Sequence, residues 1–334
     1  MPQISRRQAL SLGAGLLGAT SLPRGARAEK SEIAVAIQYG IGYLPVMIVD
    51  RLSLFAKQSA QRGMPATMVL QRLSGATAIN DALISRSIDI GAYGIPGMLI
   101  AHEKTVRSFN VSGLAALSAL PYTLFANDPA IKTLADIRPQ DRIAVTAPNT
   151  PQAELLRMAA LKTFGDAHRL DTQMVPLPHP DATIALMSGR TITLYIATPP
   201  FSQVLEASPK VHTVTTSTQI AGEDMTGALL GSTGRFAMDN PTLTAAFVAA
   251  LEEADAIIQT DPVRAAALYR ESEPTQLKPG EIEAILRQYG STFAIAPSGT
   301  MVFARFMHEN GEIKLPLDRW QTAYLPPVSE GRGS

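Results

Sequence analysis

Two loops hold most of the side chains in this sequence that could act on a small molecule. Gln38 to Tyr43 reads Gln-Tyr-Gly-Ile-Gly-Tyr, an amide and two aromatic rings set among glycines. Thr146 to Pro151 reads Thr-Ala-Pro-Asn-Thr-Pro and runs into Gln152. Small hydroxyl and amide residues ahead of a helix suit an anion, because first-turn N–H groups have no intrahelical partner and the dipole is positive there. The same residues also suit an ordinary N-cap, so the loop alone leaves both readings open.

Catalytic chemistry finds fewer candidates. Five histidines occur, His102, His168, His179, His212 and His308, and no two have metal-ligand spacing on a helix. No HExxH, GxSxG or P-loop pattern is present. Pro178-His179-Pro180 fixes a histidine between two prolines, but no acid or nucleophile is placed beside it, and it reads as a surface loop. Cysteine is absent, which excludes disulfides, thiolate metal sites and a catalytic thiol. No metal, cofactor or catalytic residue is expected.

The elements that carry these loops follow from hydrophobic patterning. Ile33 to Ile37 is an almost wholly apolar run, suited to a strand buried on both faces of a parallel sheet. Pro45 fits the first turn of a helix. Strand, glycine-rich loop and helix is how an open α/β sheet makes a ligand crevice. Val46 to Arg62 is predicted as one helix ending at Gly63, and Thr67 to Leu73 as a second strand. Ser74-Gly75-Ala76-Thr77 then starts a helix with Ser74 or Thr77 as cap. Ile88 to Ala92 is a third strand, ending in Tyr93-Gly94-Ile95-Pro96.

A weak internal repeat points to two lobes on one plan. Ala82 to Ile90 is echoed, with one extra residue, by Ala185 to Leu194, and each copy runs into a proline-containing loop, Pro96 in one and Pro199-Pro200 in the other. The second lobe is predicted from Tyr122, with a strand to Asn127, a short helix over Ile131 to Ile137, a strand at Arg142 to Val145 and a helix from Gln152 to Phe164. Further strands are expected at Met174 to Leu177 and Ile192 to Ile196. Val211 to Thr215 and Thr226 to Leu230 are expected to bring the chain back to the first lobe. Helices from Pro241 onward cover a sheet face.

Bulk properties are consistent with this. The 334 residues carry 29 basic and 29 acidic side chains, so no nucleic-acid or polybasic membrane footprint is implied. A hydrophobic content of 46% and a charged content of 17% supply a packed core, and the length favours two lobes. Ser5-Arg6-Arg7-Gln8-Ala9-Leu10 is a twin-arginine signature, followed by a mildly apolar stretch to Leu22 and a small-x-small site at Ala26-Arg27-Ala28. Export to a bacterial periplasm with cleavage after Ala28 is expected. Gly13 to Gly18 spells GxGxxG, but no strand precedes it and it lies inside this leader. The expected divisions are a leader at 1–28, lobe 1 over 29–121, lobe 2 over 122–222, and a return to lobe 1 with C-terminal helices over 223–334.

In its order of elements the chain resembles the substrate-binding proteins of ABC importers for nitrate, taurine and aliphatic sulfonates, a family shared with thiamine-pyrimidine precursor binders. The matched stretches are Gly42-Tyr43-Leu44-Pro45 with Leu54-Phe55-Ala56-Lys57, Ile88-Asp89-Ile90-Gly91, Ile131 to Ile137 before Arg142 to Val145, Asp181-Ala182 with Ser188-Gly189, and Asn240-Pro241. The resemblance implies a type II periplasmic-binding fold of class α/β. Each lobe is then a mixed, mainly parallel sheet flanked by helices, and two crossing strands near Ala119 to Leu124 and Gly222 to Gly231 join the lobes.

It also implies a non-enzymatic, monomeric clamp that closes on a small anionic solute and delivers it to a membrane permease driven by a separate ATPase. By the same resemblance, ligand contacts fall on Gln38, Tyr39, Tyr43, Ser74, Ala76, Thr77, Tyr93, Thr146, Asn149, Thr150, Gln152, Thr198 and Phe201. Thr193 replaces the family's usual acidic residue, and Ala197-Thr198-Pro199-Pro200 lacks its frequent tryptophan. A binder of a thiamine pyrimidine or aromatic acid, a periplasmic enzyme and a ligand-sensing partner of a sensor kinase are the alternatives.

Overall fold

The computed structural model describes residues 29–334 apart from Ser74, so the twin-arginine leader, the cleavage site and Ser74 lie outside the described residues. The chain runs β1 (Glu32–Ile37), α1 (Leu44–Arg51), α2 (Leu54–Gln61), β2 (Thr67–Arg72), α3 (Ala76–Ile84), β3 (Ile90–Tyr93), α4 (Ile95–Thr105) and β4 (Val111–Ser118). It continues through β5 (Thr123–Ala126), β6 (Ile143–Val145), α5 (Pro151–Phe164), β7 (Met174–Pro176), α6 (His179–Ser188), β8 (Leu194–Ala197), α7 (Phe201–Glu206), β9 (His212–Thr216) and α8 (Ser217–Ala221). The last part holds β10 (Ala228–Thr233), α9 (Gly234–Asp239), α10 (Pro241–Thr260), α11 (Pro262–Ser272), α12 (Pro279–Tyr289) and α13 (Thr300–Glu309).

These strands form two five-stranded sheets of the same design. One has the order β2-β1-β3-β10-β4 and the other β7-β6-β8-β5-β9. In each, the first three strands of a βαβ series are parallel, and a strand from the far side of the crossover is inserted antiparallel next to the third. The echoed sequence segments end in β3 and β8, which hold the same place in their sheets. Two segments without helix or strand, 119–122 and 222–227, carry the chain between the sheets; the expected crossing strands are therefore connections between strands, and β4, β5 and β10 begin or end beside them.

Core packing follows the apolar runs. Ile33, Val35, Ala36 and Ile37 are fully buried in β1, as expected of a strand covered on both faces. Leu243, Phe247, Leu251, Ala254 and Ile258 form one buried face of α10, and Phe247 meets Phe55 of α2 edge-on at 6.0 Å.

Four local expectations need correction. The stretch Val46 to Arg62 is two helices rather than one, broken where Ser53 adopts φ +51°. The N-cap of α3 is Gly75 rather than Thr77, at φ +85°, a conformation open to glycine at little cost; Ser74, the other expected cap, lies outside the described residues. The helix over Ile131 to Ile137 shrinks to a 3₁₀ turn at Leu134–Asp136, held by Thr133 and Asp136. The strand at Val211 to Thr215 does not return to the first sheet, because β9 pairs with β5 in the second. Apolar alternation marks a strand but says nothing of which sheet receives it.

One buried carboxyl in this frame makes stability depend on pH. Asp255 of α10 is 6% exposed, its Oδ1 has no hydrogen-bond partner, and burial, with a smaller push from Glu252, raises its pKa to about 8. A raised carboxyl pKa favours the folded state while the group is protonated, so this stability is present below about pH 4 and is lost as pH rises toward 8. Asp255→Asn, which cannot ionise, should gain stability relative to the native chain as pH rises from 5 to 8.5. Thermal melts at both pH values check this, and a pH-independent difference would refute it.

Candidate functional site

A cavity of about 120 Å³ lies between the two sheets, at the carboxyl ends of their parallel strands. Five helices begin at its wall. Tyr43 is the N-cap of α1, Gly75 of α3, Gly94 of α4, Thr150 of α5 and Pro178 of α6, and all five line the cavity. In none of the five does the cap side chain accept a bond from the first turn. Three of these helices follow β1, β2 and β3, and two follow β6 and β7. Each helix start is equivalent to roughly half a positive charge. Among the described residues, none that lines the cavity is charged. Negative charge is therefore favoured here by dipoles and neutral donors, not by a cation.

Two glutamines position the loops in the same way in both sheets. Gln38, just after β1, donates from Nε2 to the Ala92 carbonyl of β3 at 3.4 Å and accepts the Gly75 N–H at 3.4 Å. Gln152, in the first turn of α5, donates from Nε2 to the Ile196 carbonyl of β8 at 2.9 Å. Its Oε1 accepts the Thr146 N–H at 3.1 Å and the Thr146 hydroxyl at 2.5 Å. Both amides line the cavity while tying a first-strand loop to the third strand of its sheet. Thr150 turns its hydroxyl to the Ala147 carbonyl at 2.7 Å, which leaves the first turn of α5 uncapped by it.

A partly buried ion pair holds the glycine-rich loop. Glu273, 4% exposed at the end of α11, accepts the Gly40 N–H through both oxygens at 2.8 and 3.1 Å and the Tyr269 hydroxyl at 3.1 Å. Arg72 meets Glu273 at 2.9 Å, donates to the Gln38 carbonyl at 2.6 Å and places its guanidinium 4.9 Å from the centre of the Tyr39 ring. Burial raises the Glu273 pKa, while the Gly40 N–H and Arg72 oppose that rise. Burial also raises the hydroxyl pKa values of Tyr43 and Tyr122, so both stay protonated as donors.

Of the residues expected to contact a ligand, Gln38, Tyr39, Tyr43, Thr146, Thr150 and Gln152 line the cavity. Tyr93 does not. It is fully buried, packs beneath Gly231 and donates its hydroxyl to Asn80 of α3. Thr77 is exposed on α3, and neither it nor Asn149 or Thr198 is among the lining residues; Ala76 opens α3. Thr198 leads into the cis Pro199–Pro200 bond, and Phe201 beyond it stacks on His179, with ring centres 5.0 Å apart and planes 6° apart. Phe201 thus faces a neighbouring groove instead of the cavity.

Seven lining residues are not among those expected to touch a ligand: Gly75, Gly94, Pro151 and Pro178 at the helix starts, and Tyr122, Gly227 and His179. Tyr122 and Gly227 come from the two segments that cross between the sheets, and a Cβ on Gly227 would lie 2.5 Å from the Tyr122 hydroxyl. His179, expected on a surface loop, lines the cavity as the first residue of α6. Its Nδ1 is hydrogen-bonded to the Tyr195 hydroxyl, which leaves Nε2 for a guest. Burial pushes its pKa down to about 4, so the ring is neutral at physiological pH. Its two flanking prolines, one at the N-cap and one in the first turn, were the available signal.

Among the described residues, no group of three or more histidine, aspartate or glutamate side chains is arranged to hold a metal, and no helix is long and apolar enough to cross a membrane. The fold is similar to that of the alkanesulfonate-binding protein SsuA from Xanthomonas axonopodis pv. citri bound to MOPS. That match has 15% identity and a TM-score of 0.72 over 89% of this chain and 99% of that one. The periplasmic aliphatic sulphonate binding protein SsuA from Escherichia coli matches at 17% identity, a TM-score of 0.67 and coverage of 90% and 93%. The periplasmic nitrate-binding protein NrtA from Synechocystis PCC 6803 matches at 14% identity, a TM-score of 0.66 and coverage of 91% and 86%. No curated protein sequence matches the chain. A family model described as NMT1-like matches residues 26–269, well over half of the length, and the chain belongs to the NMT1-like family.

Proposed function

We propose that this protein is the periplasmic solute-binding component of an ABC importer, closing on a small organic or inorganic anion and presenting it to a membrane permease powered by a separate ATPase. The observation that carries this reading is the meeting of five helix N-termini around a cavity with no charged lining residue. The similar folds of proteins named for binding sulfonates and nitrate support the same ligand class. In this reading the lobes comprise residues 29–121 with 223–334, and 122–222. The connecting segments 119–122 and 222–227 act as the hinge, and the protein works as a monomer. The twin-arginine sequence supports export of the folded chain with cleavage after Ala28.

The test is a thermal-shift screen of the chain from Glu29 onward against methanesulfonate, nitrate, carboxylates, pyrimidines and cationic controls. An anion at a hundred times its dissociation constant should add about 2.7 kcal/mol of stability. A response to cations or neutral solutes alone would overturn the anion reading. Because His179 is neutral above about pH 4, affinity for a sulfonate should stay level from pH 5.5 to 8, whereas a charged imidazole would strengthen binding toward the acid end. His179→Ala should weaken the same anion about tenfold or more, the loss of one hydrogen bond to a charged group. Isothermal titration reads both.

A further inference from the structure

We infer that the anion this protein takes carries a sizeable apolar tail, and that the tail lies in a second compartment outside the helix-lined cavity. The inference rests on the anion-binding reading and extends it to a substrate class. A groove of about 610 Å³ adjoins the 120 Å³ cavity, and Tyr39 and Pro178 belong to the walls of both. Organic ligands occupy pockets of roughly 300–1,000 Å³. The inner cavity falls below that range and suits a head group, whereas the groove falls within it.

The groove is built from both sides of the cleft. Ile184, Met187, Phe201 and Val204 come from α6 and α7, and Tyr39 and Pro274 face them from the first-sheet side. Ile184 is 62% exposed and Tyr39 40% exposed, large apolar surfaces that a guest would cover. Two carboxylates border the groove. Glu273 has its oxygens taken up by Gly40, Tyr269 and Arg72, so it does not call for a cationic tail. Asp181 is exposed in the first turn of α6, where the helix dipole favours a negative charge. The Phe201 ring lies flat on His179, so the wall between the compartments is an aromatic stack with a polar face inward and an apolar face outward. An amphiphilic anion such as a long-chain alkyl- or arylsulfonate matches this division. Bare nitrate leaves the groove empty.

Isothermal titration with the n-alkanesulfonates from methane to octane tests the inference on the native chain and on Ile184→Asn, a substitution at an exposed position. Affinity should rise about three- to fourfold per methylene once the chain reaches the groove. In Ile184→Asn the gain for the long members should drop about tenfold, with methanesulfonate unchanged. Equal affinity along the native series, or a series that Ile184→Asn leaves intact, would overturn the tail compartment while the anion reading stands. Failure of every member to bind would overturn the tail compartment, and if nitrate and the carboxylates also failed to bind it would overturn the anion reading with it.

Discussion

Gly94→Ala should cost the protein most of its ligand affinity while leaving its fold stable. A Cβ at Gly94, the N-cap of α4, would sit 2.3 and 2.6 Å from Cδ and Cγ of Pro151, the first residue of α5, and 3.3 Å from the Gly227 carbonyl. Gly94 belongs to the first sheet's half of the cleft and Pro151 to the second's. The backbone there is extended, at φ −94°, so alanine is not strained by its own conformation. The clash exists only while the halves are in contact. Overpacking of this kind costs about 1–3 kcal/mol. Charged against the closed state, it raises the apparent dissociation constant about 5- to 150-fold. Titration and an apo melting curve measured together decide it: a variant that binds normally would show that uptake does not need this approach, and one that melts early would show a wider role for the glycine.

Arg157→Met should be the most destabilising single change outside the apolar core. Arg157 of α5 bonds Glu154 at 2.5 Å, Asp171 at 3.0 Å, Glu312 at 2.9 Å and the Pro148 carbonyl at 3.1 Å. Glu154 is fully buried, and its carboxyl meets that of Glu312, where one oxygen of each finds no other donor. Removing the cation leaves three carboxyls gathered around an apolar side chain, a loss of about 3–5 kcal/mol. Burial first, and then the nearby Glu312, raise the Glu154 pKa, with Arg157 opposing. Its folded value stands above its unfolded one, so the stability it lends is complete in acid and is lost as pH rises through the raised value. Glu154→Gln should flatten that decline. Denaturant unfolding from pH 5 to 9 checks both variants, and a methionine variant as stable as the native chain would mean that Arg157 does not hold the cluster together.

The sequence made the plan of the site readable but not its closure. Ile33 to Pro45 and Arg142 to Pro151 each show an apolar run, a polar loop and a helix-compatible proline, and these local signals mark a strand end feeding a helix start. Gln38 and Thr146 fall within such signals, and Gln152 follows one directly. His179 follows β7 with a similar signal in its two flanking prolines, but nothing local tells a helix start in the cleft from one on the surface; Tyr122 carries no signal, because its place on a segment between the sheets is set by tertiary structure that no periodicity records. Tyr93 went astray for a related reason: an aromatic residue at a strand end can face the crevice or the core, and here the packing of β3 against α3 and β10 sends it inward. The break at Ser53 left no glycine or proline to announce it.

The arrangement of helix starts, three from one sheet and two from the other, has a consequence for unloading. The favourable potential at the guest is a sum over both halves, and it exists in full only while they meet. Drawing the halves apart by a few ångströms divides the sum and lets water restore the guest's hydration at once. Anything that pries the protein open thereby also empties it, with no competing ion, proton or chemical step needed to expel the cargo.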